Sequence, residues 1–154
     1  MKKKEIFWLI GTTILVLILN TLIFGIEGFK SDSTIDINIH DTYFVIANFH
    51  FILLFTVLIF FGVYLTRMLR RNYKNLTANL IFMISGLMSI WVLTGMISIV
   101  NSYVGISKTT EYNLPVTNNI FDNFSTVLYT IQIIIIGLIA YSGFKTGRNY
   151  KLTE

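Results

Sequence analysis

The chain has 154 residues, of which 54% are hydrophobic and 13% are charged, and its mean hydropathy is +0.68. Soluble domains carry about 25% charged residues, so this composition excludes an ordinary soluble domain and indicates a protein of the lipid bilayer. The formal net charge is +4, and the basic residues flank apolar runs. We therefore interpret the charge as a topology signal and expect no binding to nucleic acid. The absence of cysteine excludes disulfides, thiolate metal sites and iron–sulfur clusters.

Four apolar runs are long enough to cross a membrane, because about 20 helical residues span the hydrocarbon core of about 30 Å. They cover residues 6–26, 44–65, 80–100 and 124–144, and none contains an acidic or a lysine or arginine side chain. The pattern predicts an all-α fold, a bundle of four transmembrane helices that forms a single membrane domain over residues 1–154. The first run is too long for a signal peptide and no A-x-A cleavage site follows it, so we expect a retained helix.

The basic residues predict the orientation of these helices. If both termini and the loop 66–79 are cytoplasmic, that side holds every lysine and arginine except Lys30 and Lys108. The positive-inside rule then predicts cytoplasmic termini in the cell (inner) membrane and two external loops, 27–42 and 101–123. Isoleucines alternate with Asp36 and Asn38 in the first loop, which predicts an extended segment, and Tyr43 is expected to open the second helix at the interface.

Several polar or small side chains interrupt the apolar runs. Interhelical hydrogen bonds would account for Asn20 and Gln132. His50 lies about seven residues inside its run, roughly 10 Å deep at 1.5 Å per residue, and an imidazole in a membrane usually binds a metal, a haem or a proton. Two positions on a helix differ by about 200°, so Asn48 and His50 should leave opposite faces. Positions of close approach between helices are predicted at Gly86, Ser89 and Gly95.

The segment HDTYFVIANFHFIL, residues 40–53, resembles the signature of subunit I of the haem–copper oxidases, the cytochrome c and quinol oxidases, which reads close to HDTYFVVAHFHYVL. The similarity covers residues 34–54. The resemblance implies that His50 ligates a low-spin haem and that His40 and Asp41 belong to a magnesium site near the haem propionates. His40 and Asp41 are equally compatible with a solvated loop, where Asp41 would favour the start of a helix.

Asn48 stands where the family has the histidine that holds the oxygen-binding haem, and His40 and His50 are the only histidines in the chain. The copper-ligating histidines are therefore absent, and we do not expect the chain alone to reduce oxygen; whether it is an enzyme stays open. The second axial ligand of a low-spin haem could come from His50 of a second chain in a homodimer. It could also come from Met88 or Met96, and we favour the homodimer.

These features support one leading interpretation and two others. The leading one is a membrane protein that binds a haem through His50 for electron transfer, or that associates with subunits of a respiratory complex. The alternative is a non-redox membrane scaffold for assembly or interaction. A pathway for protons or small solutes is disfavoured, because none of the predicted helices carries an acidic side chain.

Overall fold

A computed structural model describes residues 3–39, 42–109 and 115–151. Its helices are α1 (Lys3–Phe24), α2 (Asn48–Arg70), α3 (Leu76–Thr109) and α4 (Pro115–Lys151). A short 3-10 helix (Glu27–Phe29) and two strands, β1 (Thr34–Ile39) and β2 (Thr42–Ala47), lie between α1 and α2.

Each of the four helices contains a segment that is long and apolar enough to cross a membrane. This confirms the prediction of four membrane-length helices. Two of the helices are longer than a span requires, since α3 has 34 residues and α4 has 37. Helical structure therefore covers most of residues 101–123, which the sequence analysis assigned to a loop. Pro115 is the first residue of α4, a position where its missing N–H removes no helical hydrogen bond.

The second apolar run is not helical from its start. We expected Tyr43 to open a helix, but residues 42–47 form β2, which pairs antiparallel with β1 from Thr34↔Ala47 to Ile39↔Thr42. The segment TYFVIA is rich in β-branched and aromatic residues, and a short apolar run fits a strand as well as a helix. The preceding TIDINI offers it a partner strand, and the helix begins only at Asn48. The described structure therefore contains a β-hairpin between α1 and α2 in addition to its helices.

The helices pack in chain order, α1 on α2, α2 on α3 and α3 on α4. The span of α3 is the most buried of the four. One apolar cluster joins the end of α2 to the start of α3 around Tyr64, Met68 and Phe82. At Gly86 of α3 an added Cβ would lie 2.7 Å from Cδ1 of Ile139. This confirms the predicted close approach at Gly86, where α4 packs on α3.

A tight turn connects α2 to α3. Asn72 and Tyr73 adopt left-handed conformations, with φ of 47° and 61°. The N–H of Tyr73 donates to the carbonyl of Met68 (3.1 Å) and that of Asn72 to Leu69 (3.0 Å), the hydrogen-bond pair of a Schellman helix end. A left-handed backbone is strained for a tyrosine. Burial of the Tyr73 side chain beside Met68 offsets the cost of that strain. The start of α1 and the end of α4 lie at the same end of the molecule as this turn, which we call the terminal end, opposite the hairpin end.

A buried ion pair fastens α1 to α2 at the terminal end. Nη2 of Arg67 lies 2.6 Å from Oε1 of Glu5, and both side chains are 8% exposed. The Asn75 amide donates to the same oxygen at 2.8 Å. The guanidinium also stacks 4.9 Å from the centroid of the Trp8 ring. Since α1 begins at Lys3 and α4 at Pro115, the premise that the helices carry no acidic side chain is wrong at Glu5 and at Asp122.

We expect a Glu5→Gln substitution to destabilise the fold by about 3–5 kcal/mol, because it leaves the Arg67 charge buried without a counter-charge. The double variant Glu5→Met/Arg67→Met should regain most of that loss. Thermal unfolding in detergent measures both. The control is Glu27→Gln, which breaks an exposed ion pair with Lys30 and should change stability by less than about 1 kcal/mol. Equal unfolding temperatures for Glu5→Gln and Glu27→Gln would contradict the assigned role.

Candidate functional site

His50 lies in the first turn of α2 and its side chain is exposed. It borders an open groove of about 350 Å³ between α2 and α3. Within the described part of the chain, no hydrogen bond joins the imidazole to another residue. The other lining residues are Phe49 and Leu53 of α2 together with Trp91, Val92, Thr94, Gly95, Met96, Ser98 and Ile99 of α3. The groove thus combines mostly apolar walls with one imidazole that makes no hydrogen bond to the described residues.

The junction of β2 and α2 determines where His50 points. The Asn48 N–H donates to the carbonyl of Ser33 (3.0 Å) and its Nδ2 donates to Oγ of Ser33 (2.6 Å). Asn48 is buried next to Gly28, where an added Cβ would lie 3.4 Å from the Asn48 amide nitrogen. Two residues later the helix has turned about 200°, and His50 is exposed. Asn48 therefore anchors the helix start to the preceding loop, and His50 faces away from that anchor.

Gly95 of α3 lines the groove. An added Cβ there would meet no atom within 4 Å, so the predicted close approach between helices at Gly95 is wrong. The reason is that this face of α3 borders the groove instead of a neighbouring helix. Met96 lines the same groove, whereas Met88 is not among its lining residues. Of the two methionines considered as haem ligands, Met96 is the one that shares a surface with His50.

The other polar residues of the apolar runs pair across helices. Nδ2 of Asn20 donates to Thr56 on α2 (3.2 Å). Nε2 of Gln132 donates to Thr94 on α3 (2.8 Å). These bonds confirm the interhelical hydrogen bonding expected of Asn20 and Gln132. Thr94 of the second pair also lines the His50 groove, whereas Asn20 and Thr56 do not.

The predicted magnesium residues, His40 and Asp41, lie outside the described residues. The structure describes the strands β1 and β2 that they connect. In the described ranges 3–39, 42–109 and 115–151, no three His, Asp or Glu side chains gather in a way that could hold a metal ion. The assignment of His40 and Asp41 to magnesium thus remains a prediction of the resemblance.

Sequence reasoning missed the cluster of Glu5, Arg67 and Tyr64 at the terminal end. It treated Arg67 only as a topology anchor, and it placed Glu5 outside the first helix. Tyr64 is fully buried beside this pair, with its ring centroid 5.9 Å from the guanidinium carbon. The available signal was a single acidic residue between the basic start MKKK and the first apolar run.

No family model, curated protein or solved structure matches this chain. The resemblance to oxidase subunit I therefore depends on the short segment around His50. The groove beside His50 is a structural observation that does not depend on this resemblance.

We expect Asn48→Ala to loosen the hairpin, because the substitution removes the side-chain hydrogen bond to Ser33. A bond of this kind contributes about 1 kcal/mol, which corresponds to about fivefold faster amide exchange in residues 34–47. Hydrogen–deuterium exchange with mass spectrometry measures that rate. Asn101→Ala, which removes a hydrogen bond between α3 and α4, is the control and should leave the hairpin rate unchanged. Identical hairpin exchange in both variants would show that Asn48 does not anchor the junction.

Proposed function

We propose that this multi-pass membrane protein binds a low-spin haem on His50 in the α2–α3 groove and serves electron transfer, alone or with subunits of a respiratory complex. The observation that carries the proposal is the exposed His50 imidazole, which borders an apolar groove and has no hydrogen-bond partner among the described residues. Neutral imidazole is the commonest protein ligand for metals, including haem iron. The oxidase-like segment around His50 supports the same assignment.

The residues that line the groove fit a haem in three respects. Phe49, Leu53 and Trp91 supply apolar walls for a macrocycle, and Gly95 lines the same groove without a side chain. His50 would supply the nitrogen ligand. Met96 lines the same groove and would supply a thioether as second ligand; in the homodimer route, His50 of a second copy takes that place. A bound haem would supply one-electron redox chemistry.

Oxygen reduction is not part of the proposal. In the family that the segment resembles, the oxygen-binding haem and the copper ion need further histidines, and this chain has only His40 and His50. Asn48, which stands at the position of the oxygen-haem histidine, donates its side-chain amide hydrogen bond to Ser33. By the same resemblance, His40 and Asp41 would contribute to a magnesium site near the haem propionates.

A reduced-minus-oxidised absorption spectrum of protein purified from porphyrin-rich cells tests the proposal. We expect a low-spin haem signal in the original chain and its loss in His50→Ala. Gly95→Leu should also lose the signal, because its side chain fills the groove while the added Cβ meets no other atom. The control is Gly137→Leu on α4, which is equally unobstructed and should retain the signal. A colourless original chain, or a signal that survives His50→Ala, refutes haem binding.

The same spectra distinguish the two sources of the second ligand. If Met96 is the ligand, Met96→Leu changes the haem spectrum and Met88→Leu does not. If a second copy supplies His50, neither methionine substitution changes the spectrum, and the haem-to-chain ratio is one to two.

The second candidate function is a non-redox scaffold that assists assembly or interaction in the membrane. The observation that favours it is the open packing of the helices, which leaves large apolar side chains exposed on both outer members of the row. Phe7 on α1 is 77% exposed and Phe144 on α4 is 70% exposed. Such faces meet either lipid or the helices of a partner. A colourless protein that co-purifies with an oxidase from detergent extract would favour this function over electron transfer.

The orientation that we propose has both termini in the cytoplasm and the hairpin outside, in the cell membrane. Its support is the charge at the terminal end, where α1 begins and where α2 and α4 end. That end carries Lys3, Lys4, Arg70, Arg71, Lys74, Lys145 and Arg148, whereas the opposite side has the described cations Lys30 and Lys108, the latter near the end of α3. The positive-inside rule assigns the basic end to the cytoplasm.

Single cysteines can test this orientation without background, because the chain has none of its own. We expect a membrane-impermeant thiol reagent to label Ser31→Cys in intact cells. Gly147→Cys, at an exposed glycine near the end of α4, should react only after the membrane is permeabilised. The reverse pattern would invert the proposed topology.

A further inference from the structure

Among the described residues of the terminal end, the positive charge is largely uncompensated. Glu5 is the one described acid there, and it is paired with Arg67. Among the described residues, the other cations of this end form no ion pair with an acid; they are Lys3, Lys4, Arg70, Arg71, Lys74, Lys145 and Arg148. We propose that this end binds the phosphates of anionic phospholipids, and that Lys145 with the basic turn 70–74 forms the site.

Lys145 is held in place, unlike a lysine that moves freely at a membrane surface. Its Nζ lies 4.5 Å from the centroid of the Tyr73 ring and 5.6 Å from that of Tyr141. The ammonium also donates to the Tyr141 hydroxyl at 3.4 Å. The two rings meet edge to face at 5.8 Å. Aromatic faces attract a cation, so these contacts position the ammonium before a ligand arrives.

The support behind Lys145 is rigid. The neighbouring Thr146 hydroxyl accepts a hydrogen bond from the buried Asn79 amide at 2.8 Å. The same amide nitrogen donates to the carbonyl of Tyr73, also at 2.8 Å. Asn79 thus ties α4 to the strained turn between α2 and α3. This tie keeps Lys145 next to the basic residues of the turn, and the Asn149 amide adds a second link by donating to the Asn72 carbonyl.

A phosphate diester fits this arrangement better than a neutral headgroup. The Lys145 ammonium has three donors, of which one serves Tyr141, and no described acid accepts the others. A positioned cation loses less side-chain entropy when it binds, so its contact with a phosphate is stronger than that of a mobile lysine. Lys145 lies one turn before the end of the membrane-length segment of α4, and the turn directly follows that of α2, so in a membrane both would lie close to the lipid headgroups. Basic residues beside a transmembrane helix attract anionic lipids in this way.

The test titrates detergent-purified full-length protein with phosphatidylglycerol or phosphatidylcholine and counts bound lipids by native mass spectrometry. We expect a preference for phosphatidylglycerol that falls about fivefold in Lys145→Gln, the change that corresponds to about 1 kcal/mol per basic residue. Lys145→Arg should retain most of the preference. Tyr141→Leu keeps the charge but removes one ring and the hydroxyl, and we expect it to lower the preference about twofold.

Two control substitutions distinguish a specific phosphate site at Lys145 from general electrostatic attraction by all the basic residues. Lys30→Gln, at the hairpin end, should leave the preference unchanged, and Lys3→Gln should lower it less than Lys145→Gln does. Equal losses in Lys3→Gln and Lys145→Gln would overturn the assignment of a site at Lys145. Equal binding of both lipids by the original chain, or displacement of phosphatidylglycerol by the same concentration of inorganic phosphate, would overturn the proposal of a lipid partner.

Discussion

The hydrocarbon core of a membrane offers no hydrogen bonds, so the polar groups on membrane-spanning helices must find partners within the protein. This constraint accounts for the contacts that hold the four helices in order. Asn20 reaches Thr56 between α1 and α2, and Gln132 reaches Thr94 between α3 and α4. The buried pair of Glu5 and Arg67 at the terminal end adds a contact that depends on burial within the protein, since its separation would leave two charges without compensation. Each of these contacts joins helices that are consecutive in the chain.

The two ends of the molecule meet this constraint differently. At the terminal end, an ion pair, a buried amide and a lysine held by two tyrosine rings connect α1, the α2–α3 turn and α4. At the hairpin end, the β-strands contact mainly each other, and their link to the helices is the junction at Asn48. Sites that must admit a ligand tend to occupy the less stable part of a fold. The groove at His50 lies at the hairpin end, where few contacts join the strands to the helices.

Hydropathy and length were sufficient to predict four membrane-length helices, because a span needs only enough apolar residues. They could not predict where helical structure stops. Residues 42–47 are apolar in either conformation, and only their pairing with residues 34–39 selects the strand. The predicted loop 101–123 is mostly helical, because its polar residues exclude it from lipid but not from a helix. The partnership of Glu5 with Arg67 was inaccessible for another reason: the two residues are far apart in sequence and meet only when α1 packs on α2.

The later start of α2 changes the physical argument for His50. If the helix began at Phe44, the imidazole would lie well inside the lipid, and a buried imidazole without a partner would need a ligand to offset its desolvation. The membrane-length segment begins instead at Asn48, which places His50 in the first turn. In a membrane whose hydrocarbon core begins where this segment does, polar headgroups and water would lie close to the first turn, and the imidazole would have little desolvation cost to offset. Depth therefore does not argue for haem. The proposal depends on the residues that line the groove with His50. They are the aromatic side chains of Phe49 and Trp91, Gly95, where a larger side chain would fill the groove, and Met96.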